Sequence, residues 1–211
     1  MPATDKLMQG YQRFRAGYYQ QNKASLIKLA EAGQAPKIAL ISCCDSRVEP
    51  SIILDCDPGD LFVVRNVANL VPPCEYDHSL HGTSAALEFA VTGLGVESVI
   101  VLGHSQCGGI KSLMDRSEEV NPDSFIWRWM SQLQTVRQQV LDDPQHTSAT
   151  ERYQACELAG IGQSLEHLME FPWIRSRVEA RELTLHGWYY DLNNAELKVL
   201  QTGTQAFQSI R

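Results

Sequence analysis

Three short runs of aliphatic and β-branched residues constrain this chain most: positions 37–43 (KIALISC), 60–65 (DLFVVR) and 98–103 (SVIVLG). None shows the polar–apolar alternation of a strand with one wet face, so each reads as a strand buried on both faces. Helical spacing separates them, at 83–92 with Thr83 or Ser84 as cap, and from His104 onward. Strands that return to one sheet through helices lie parallel. Two later runs, 183–190 (LTLHGWYY) and 196–201 (ELKVLQ), are strand-like and joined by a turn at Asn193-Asn194. Helical patterns at 4–19, 23–32, 122–140 and 148–169 supply the flanking layers. The predicted fold is therefore α/β, with a mostly parallel central sheet: four parallel strands plus a C-terminal antiparallel one, flanked by helices.

The 211 residues suffice for one core, and no internal repeat or Gly/Ser-rich linker divides them. A single domain over 1–211 is expected, with 1–35 as an N-terminal helical arm and 36–211 as the α/β core. The net charge of −7 and the lack of basic clusters leave nucleic-acid binding without electrostatic support. No run approaches the roughly 18–20 apolar residues of a membrane span. The first twenty residues also lack the continuous apolar stretch of a signal peptide, so a cytoplasmic setting is expected. There the six cysteines (43, 44, 56, 74, 107 and 156) are thiols or metal ligands rather than disulfides.

In parallel sheets ligands sit beyond the carboxyl ends of the strands, and two chemically loaded motifs fall at such ends. Cys43-Cys44-Asp45-Ser46-Arg47 closes the first strand, and His104-Ser105-Gln106-Cys107-Gly108-Gly109 closes the third. Zinc takes thiolate and imidazole ligands tetrahedrally, and catalytic sites keep three protein ligands plus a water. A His-x-x-Cys turn at a helix start brings both ligand types to one centre, and the helix N-terminus favours the thiolate. Alone the pattern is weak, because a turn with a packed histidine and a buried cysteine reads the same way. Cys43 can supply the third ligand, while Cys44, its neighbour, should face away. Asp45 and Arg47, two residues apart on an extended segment, share a face with Cys43. A charged pair at a buried strand end is costly unless used or well paired; a purely structural ion pair is the alternative.

Together these motifs resemble those of the β-carbonic anhydrases. CxDSR is matched by residues 43–47, HxxCGG by 104–109 and GDxFVxRNxxN by 59–69. Residues 84–91 (SAALEFAV) resemble the family's next helix and 185–191 (LHGWYYD) its late strand, so the similarity runs from about residue 5 to 205. The resemblance implies one zinc per chain on Cys43, His104 and Cys107, and reversible hydration of CO2 to bicarbonate by zinc-bound hydroxide. It implies that Asp45 accepts a hydrogen bond from that hydroxide, with Arg47 keeping Asp45 ionised and oriented. Phe62, Val67 and Phe89 would line a small apolar pocket, and the backbone N–H of Gly108 would contact a bicarbonate oxygen. Gln34 would reach the substrate from a partner subunit. The helical arm would lie across that partner, giving a homodimer or higher, with tetramer and octamer both open.

The chain departs from the family at three positions. Cys44 stands where serine is commoner, and Phe89 where plant-like relatives often carry tyrosine. Some relatives switch off when the counterpart of Asp45 closes onto the zinc, with bicarbonate bound nearby at a Trp, an Arg and a Tyr. Arg65 and Tyr190 match here but Leu40 replaces the Trp, so the open form is expected. Cys56, Cys74 and Cys156 show no ligand spacing. His78, His81, His186, Trp127, Trp129 and the Tyr18-Tyr19 pair read as surface or packing residues. Two other readings stand: hydrolysis of CS2 or COS on the same scaffold, and a zinc-stabilised protein without turnover.

Overall fold

The computed structural model describes residues 2–77, 79–115, 123–201, 203–204 and 206–210. The chain forms two compact units, Met1–Ala35 and Pro36–Arg211. The first holds α1 (Ala3–Ala16), α2 (Tyr18–Gln21) and α3 (Lys23–Ala32). The helix expected over 4–19 breaks at Gly17, whose φ of −106° and ψ of −94° leave the helical region. Leu7, Met8, Tyr11 and Phe14 are all exposed along α1. α3 stops at Gly33, where φ is 77°, a left-handed value that glycine adopts without a Cβ penalty.

In the second unit the elements run β1 (Ile38–Cys43), α4 (Pro50–Ile53), β2 (Leu61–Asn66), α5 (Gly82–Glu88) and β3 (Ser98–His104). There follow α6 (Gly108–Met114), α7 (Phe125–Met130), α8 (Gln134–Asp142), α9 (Ala149–Glu170), α10 (Pro172–Glu179), β4 (Thr184–Asp191), β5 (Glu196–Leu200) and β6 (Phe207–Ser209). One sheet forms in the order β2-β1-β3-β4-β5-β6. β1 pairs parallel with β2 and β3, and β3 pairs parallel with β4, while β5 and β6 are antiparallel. The antiparallel end thus has two strands instead of the single one expected. β6 is only three residues long, too short to show a pattern.

Helix boundaries differ more than strand boundaries. The segment at 83–92 starts as α5 and ends in a wider π-helical turn over Phe89–Gly93. The segment expected at 122–140 is split into α7 and α8 by a 3-10 turn at Ser131–Leu133; Pro122 lies outside the described residues. α9 is continuous, and Ser148 with Glu151 closes its N-terminus in a reciprocal capping box. Among the described residues no helix is long and apolar enough to cross a membrane.

α9 covers β3 and β4 on one face of the sheet, burying Val99, Val101, Ile161, Leu168 and Tyr189 together. Leu40, Ile100 and Leu102 fill the other face with Trp188 and Tyr190. A further cluster joins Cys43 and Cys107 to Ile110, Leu113, Met130 and Leu133. α9 comes close because the strands carry glycine beneath it. A Cβ on Gly187 would lie 2.8 Å from Ile161 Cγ2, and one on Gly103 would lie 2.7 Å from Ile161 Cδ1. Cγ2 is fixed near the isoleucine backbone and cannot swing away. Gly187→Ala is therefore expected to destabilise the fold by about 1–3 kcal/mol through overpacking. Urea unfolding measures this, and an unchanged midpoint would count against the close approach.

Candidate metal centre

β1 and β3 pair in register, Ser42 beside Leu102, so the segments after Cys43 and His104 leave the sheet side by side. β3 runs on through His104, and Cys107 is the residue that precedes the first turn of α6. The ligand-type atoms of Cys43, His104 and Cys107 all lie within 4.8 Å of one another, and all three residues are buried. The two sulfurs are 4.0 Å apart. Two thiolates on a tetrahedral zinc at about 2.3 Å would be separated by about 3.8 Å, so the spacing suits that ion.

His104 is oriented for the same purpose. Its Nδ1 lies 2.8 Å from the Ser105 carbonyl oxygen. A carbonyl only accepts, so Nδ1 carries the proton and Nε2 presents a lone pair. Nε2 is buried and has no hydrogen-bond partner among the described residues. An orphaned imidazole nitrogen facing two sulfurs is what a metal ligand looks like, and these residues fit one zinc. The two thiols share one hydrogen bond, and that contact draws Cys43 well below the ordinary thiol range. The same bond, with burial, pushes Cys107 up. Cys43 Sγ also accepts the Ala68 backbone N–H at 3.3 Å. Cys44 is exposed and lies outside the cluster.

Local backbone geometry builds this cluster. Gln106 has φ of 58°, and Ala68 and Asn69 have φ of 63° and 51°, left-handed values uncommon for residues with a Cβ. A Cβ on Gly109 would lie 2.7 Å from Val67 Cγ1, so the second glycine of the motif lets α6 settle against the 67–69 turn. Trp129 holds that turn, donating from Nε1 to the Val67 carbonyl at 2.8 Å.

Asp45 and Arg47 form an ion pair, but not through strand alternation as expected. β1 ends at Cys43, and residues 45–48 make a turn closed by Val48 N–H on the Asp45 carbonyl at 3.0 Å. Asp45 Oδ1 accepts the Arg47 backbone N–H at 2.9 Å and Nε at 3.0 Å, and Oδ2 accepts Nη2 at 2.8 Å. These bonds hold the Asp45 carboxyl well below the usual carboxylate range. Both its oxygens face Arg47, and Asp45 lies outside the ligand cluster. Arg47 Nη2 also donates to the Gln106 carbonyl at 2.9 Å, tying the two motifs together.

The remaining expected residues are dispersed. Val67 packs beside Cys43 and Cys107. Phe62, half-buried on β2, meets Phe89 at a ring separation of 5.9 Å, and Phe89 is 50% exposed. Gly108 opens α6, and a Cβ there would meet nothing within 4 Å. Gln34 is an exposed residue after α3, in the other compact unit. His81 bonds to Asp77 and Ser79, and His186 to Thr184, whereas His78 lies outside the described residues.

Two further residues complete the site: Arg65, legible in the sequence only as a motif position, and Glu157, which no motif marks. Arg65 donates from Nε to the Cys43 carbonyl at 3.0 Å and from Nη2 to the carbonyls of Asp45 and Val48 at 2.9 and 2.6 Å. Glu157 accepts the Cys107 backbone N–H at 2.9 Å and the Tyr189 hydroxyl at 2.8 Å. Burial raises its pKa. The signal for Glu157 was a carboxylate on the stripe that α9 buries with Gly160, Ile161, Ser164 and Leu168.

Comparison with known proteins agrees with this geometry. The family model described as "Carbonic anhydrase" matches residues 38–197. "Beta carbonic anhydrase 5, chloroplastic" of Arabidopsis thaliana is 42% identical over 187 residues, 89% of this chain and 61% of that protein. The chain thus spans less than two thirds of that relative. The structure of the β-carbonic anhydrase CcaA superposes with a TM-score of 0.91 at 32% identity, covering 99% of this chain and 92% of that one. A structure from work on two tetrameric β-carbonic anhydrases of Sordaria macrospora gives 0.82 at 33% identity, covering 95% and 98%. On motif, geometry and similarity alike, the chain belongs to the β-carbonic anhydrase family.

Proposed function

We propose that this protein hydrates CO2 reversibly to bicarbonate and a proton, with one zinc held by Cys43, His104 and Cys107. The observation that carries this reading is the buried three-ligand cluster, with its unpartnered His104 Nε2, beside the Asp45–Arg47 pair. When bound, the metal supplies the Lewis acidity that makes water nucleophilic near neutral pH. Asp45, kept ionised by Arg47, accepts a hydrogen bond from the attacking water and aims its lone pair at CO2. Phe62, Val67 and Phe89 offer apolar surface suited to an uncharged substrate, and the Gly108 N–H at the start of α6 suits a bicarbonate oxygen.

Self-association belongs to the same proposal. Leu7, Met8, Tyr11 and Phe14 leave α1 with an exposed apolar face, which a second copy would cover in a homodimer or larger assembly. Gln34 would then approach the substrate of the partner. The Sordaria macrospora enzymes named above are tetrameric. None of the six cysteines is in a disulfide, which suits a reducing compartment such as the cytoplasm.

Stopped-flow CO2 hydration at alkaline pH, with zinc assayed on the same sample, tests the reading. About one zinc per chain is expected, lost in Cys107→Ala together with hydration. Zinc at full occupancy without hydration would overturn the assigned reaction and turn the assay to CS2 and COS.

Asp45→Asn is expected to keep its zinc and lose hydration by roughly a hundredfold or more. Wild-type rates in that variant would remove Asp45 from the reaction. Because Arg47 depresses the Asp45 carboxyl, that group is ionised throughout about pH 6 to 9. Asp45 itself therefore does not account for an activity rise over this range, which the zinc-hydroxide reading ascribes to water losing a proton. A rise is expected; a flat profile at full zinc occupancy would contradict it.

A further inference from the structure

Glu157 is the one buried carboxylate among the described residues, 5% exposed on the inner stripe of α9. Burying a carboxylate is costly unless donors meet it, and an apolar side chain there would cost less. Two donors do meet it, and both lead to the metal centre. Oε1 takes the backbone N–H of Cys107, and Oε2 takes the hydroxyl of Tyr189. Cys107 sits just before α6, behind the left-handed Gln106, so the helix does not use its N–H. Tyr189 is fully buried on β4, paired in register with Gly103, the residue before His104. Glu157 thereby connects the third ligand to the strand that flanks the second.

We propose that Glu157, anchored by Tyr189, is a positioning residue that fixes the Cys107 peptide so that its sulfur meets Cys43 and His104 at metal-binding distance. The proposal rests on the metal-centre reading and concerns affinity for the ion rather than the reaction. Held through Glu157 by Tyr189, the cysteine does not have to be ordered when the ion binds, and that ordering is where affinity would otherwise be lost.

The test is zinc affinity of the full chain by chelator competition, together with the thiolate-to-cobalt charge-transfer band of the Co2+-loaded protein. Glu157→Ala should weaken zinc about 10- to 100-fold and shift the cobalt band. Glu157→Gln keeps an acceptor in place and should stay within about threefold of wild type. Tyr189→Phe frees one carboxylate oxygen and should fall between the two; it carries the test if Glu157→Ala does not fold. Wild-type affinity and an unshifted band in both Glu157→Ala and Tyr189→Phe would overturn the proposal. A loss in Glu157→Gln as large as in Glu157→Ala would also overturn it, by assigning the effect to charge instead of the hydrogen bond. If the wild-type chain itself takes up no zinc, the metal-centre reading fails and this proposal with it. Zinc in the wild type with unaltered variants sinks the positioning role alone.

Discussion

Parallel pairing of β1 with β3 places the carboxyl ends of two buried strands level and adjacent, and each strand ends in a residue of a type that ligates metals. Cys43 and His104 meet because their strands share a register, with Ser42 beside Leu102. Cys107 joins them after a tight turn through Gln106. The arrangement needs a rigid sheet, which α9 supplies by lying directly on Gly103 and Gly187. Packing chosen for closeness at the sheet thus also places Glu157, one turn before Ile161 on the same helix, against the Cys107 peptide.

Around the ligands the chain uses its charged groups twice. Arg47 engages both oxygens of Asp45 and also reaches the Gln106 carbonyl, so one guanidinium fixes an acid and joins two loops. Arg65 gathers three carbonyls of the segment from Cys43 to Val48 and pairs with Glu49. With those donors occupied, the turn that carries Asp45 is held from both sides. Planar, multiply donating arginine suits this better than lysine, whose single ammonium cannot span several acceptors.

Apolar surface is distributed unevenly. Ile110, Leu113, Met130 and Leu133 wall one side of Cys43 and Cys107 in apolar surface, while Arg47, Gln106, Lys111 and Tyr153 line an opening beside Cys107. Phe89, Val63 on the edge strand β2 and the face of α1 stay exposed.

Much of this was legible in the sequence because it rests on short-range pattern. The buried strands β1 and β3 show as unbroken apolar runs, and soft ligands beyond their ends show as Cys43, His104 and Cys107. β2, expected from the same pattern to be buried, is instead an edge strand with Val63 exposed, because its place in the sheet order leaves it only one neighbouring strand. What the sequence could not show depends on distant residues meeting. The Asp45–Arg47 pair was expected from strand alternation, but a turn makes it, and turn closure depends on Arg65 arriving from β2. β6 was missed because three residues carry no periodicity. Motif reading likewise passed over Glu157, fifty residues beyond Cys107, whose role exists only where α9 crosses β3 and β4. Residue type and spacing, with the family resemblance they carry, pointed to zinc. Only the tertiary fold decided how the ligands are kept in place, because hydrogen bonds between remote segments leave no mark on local composition.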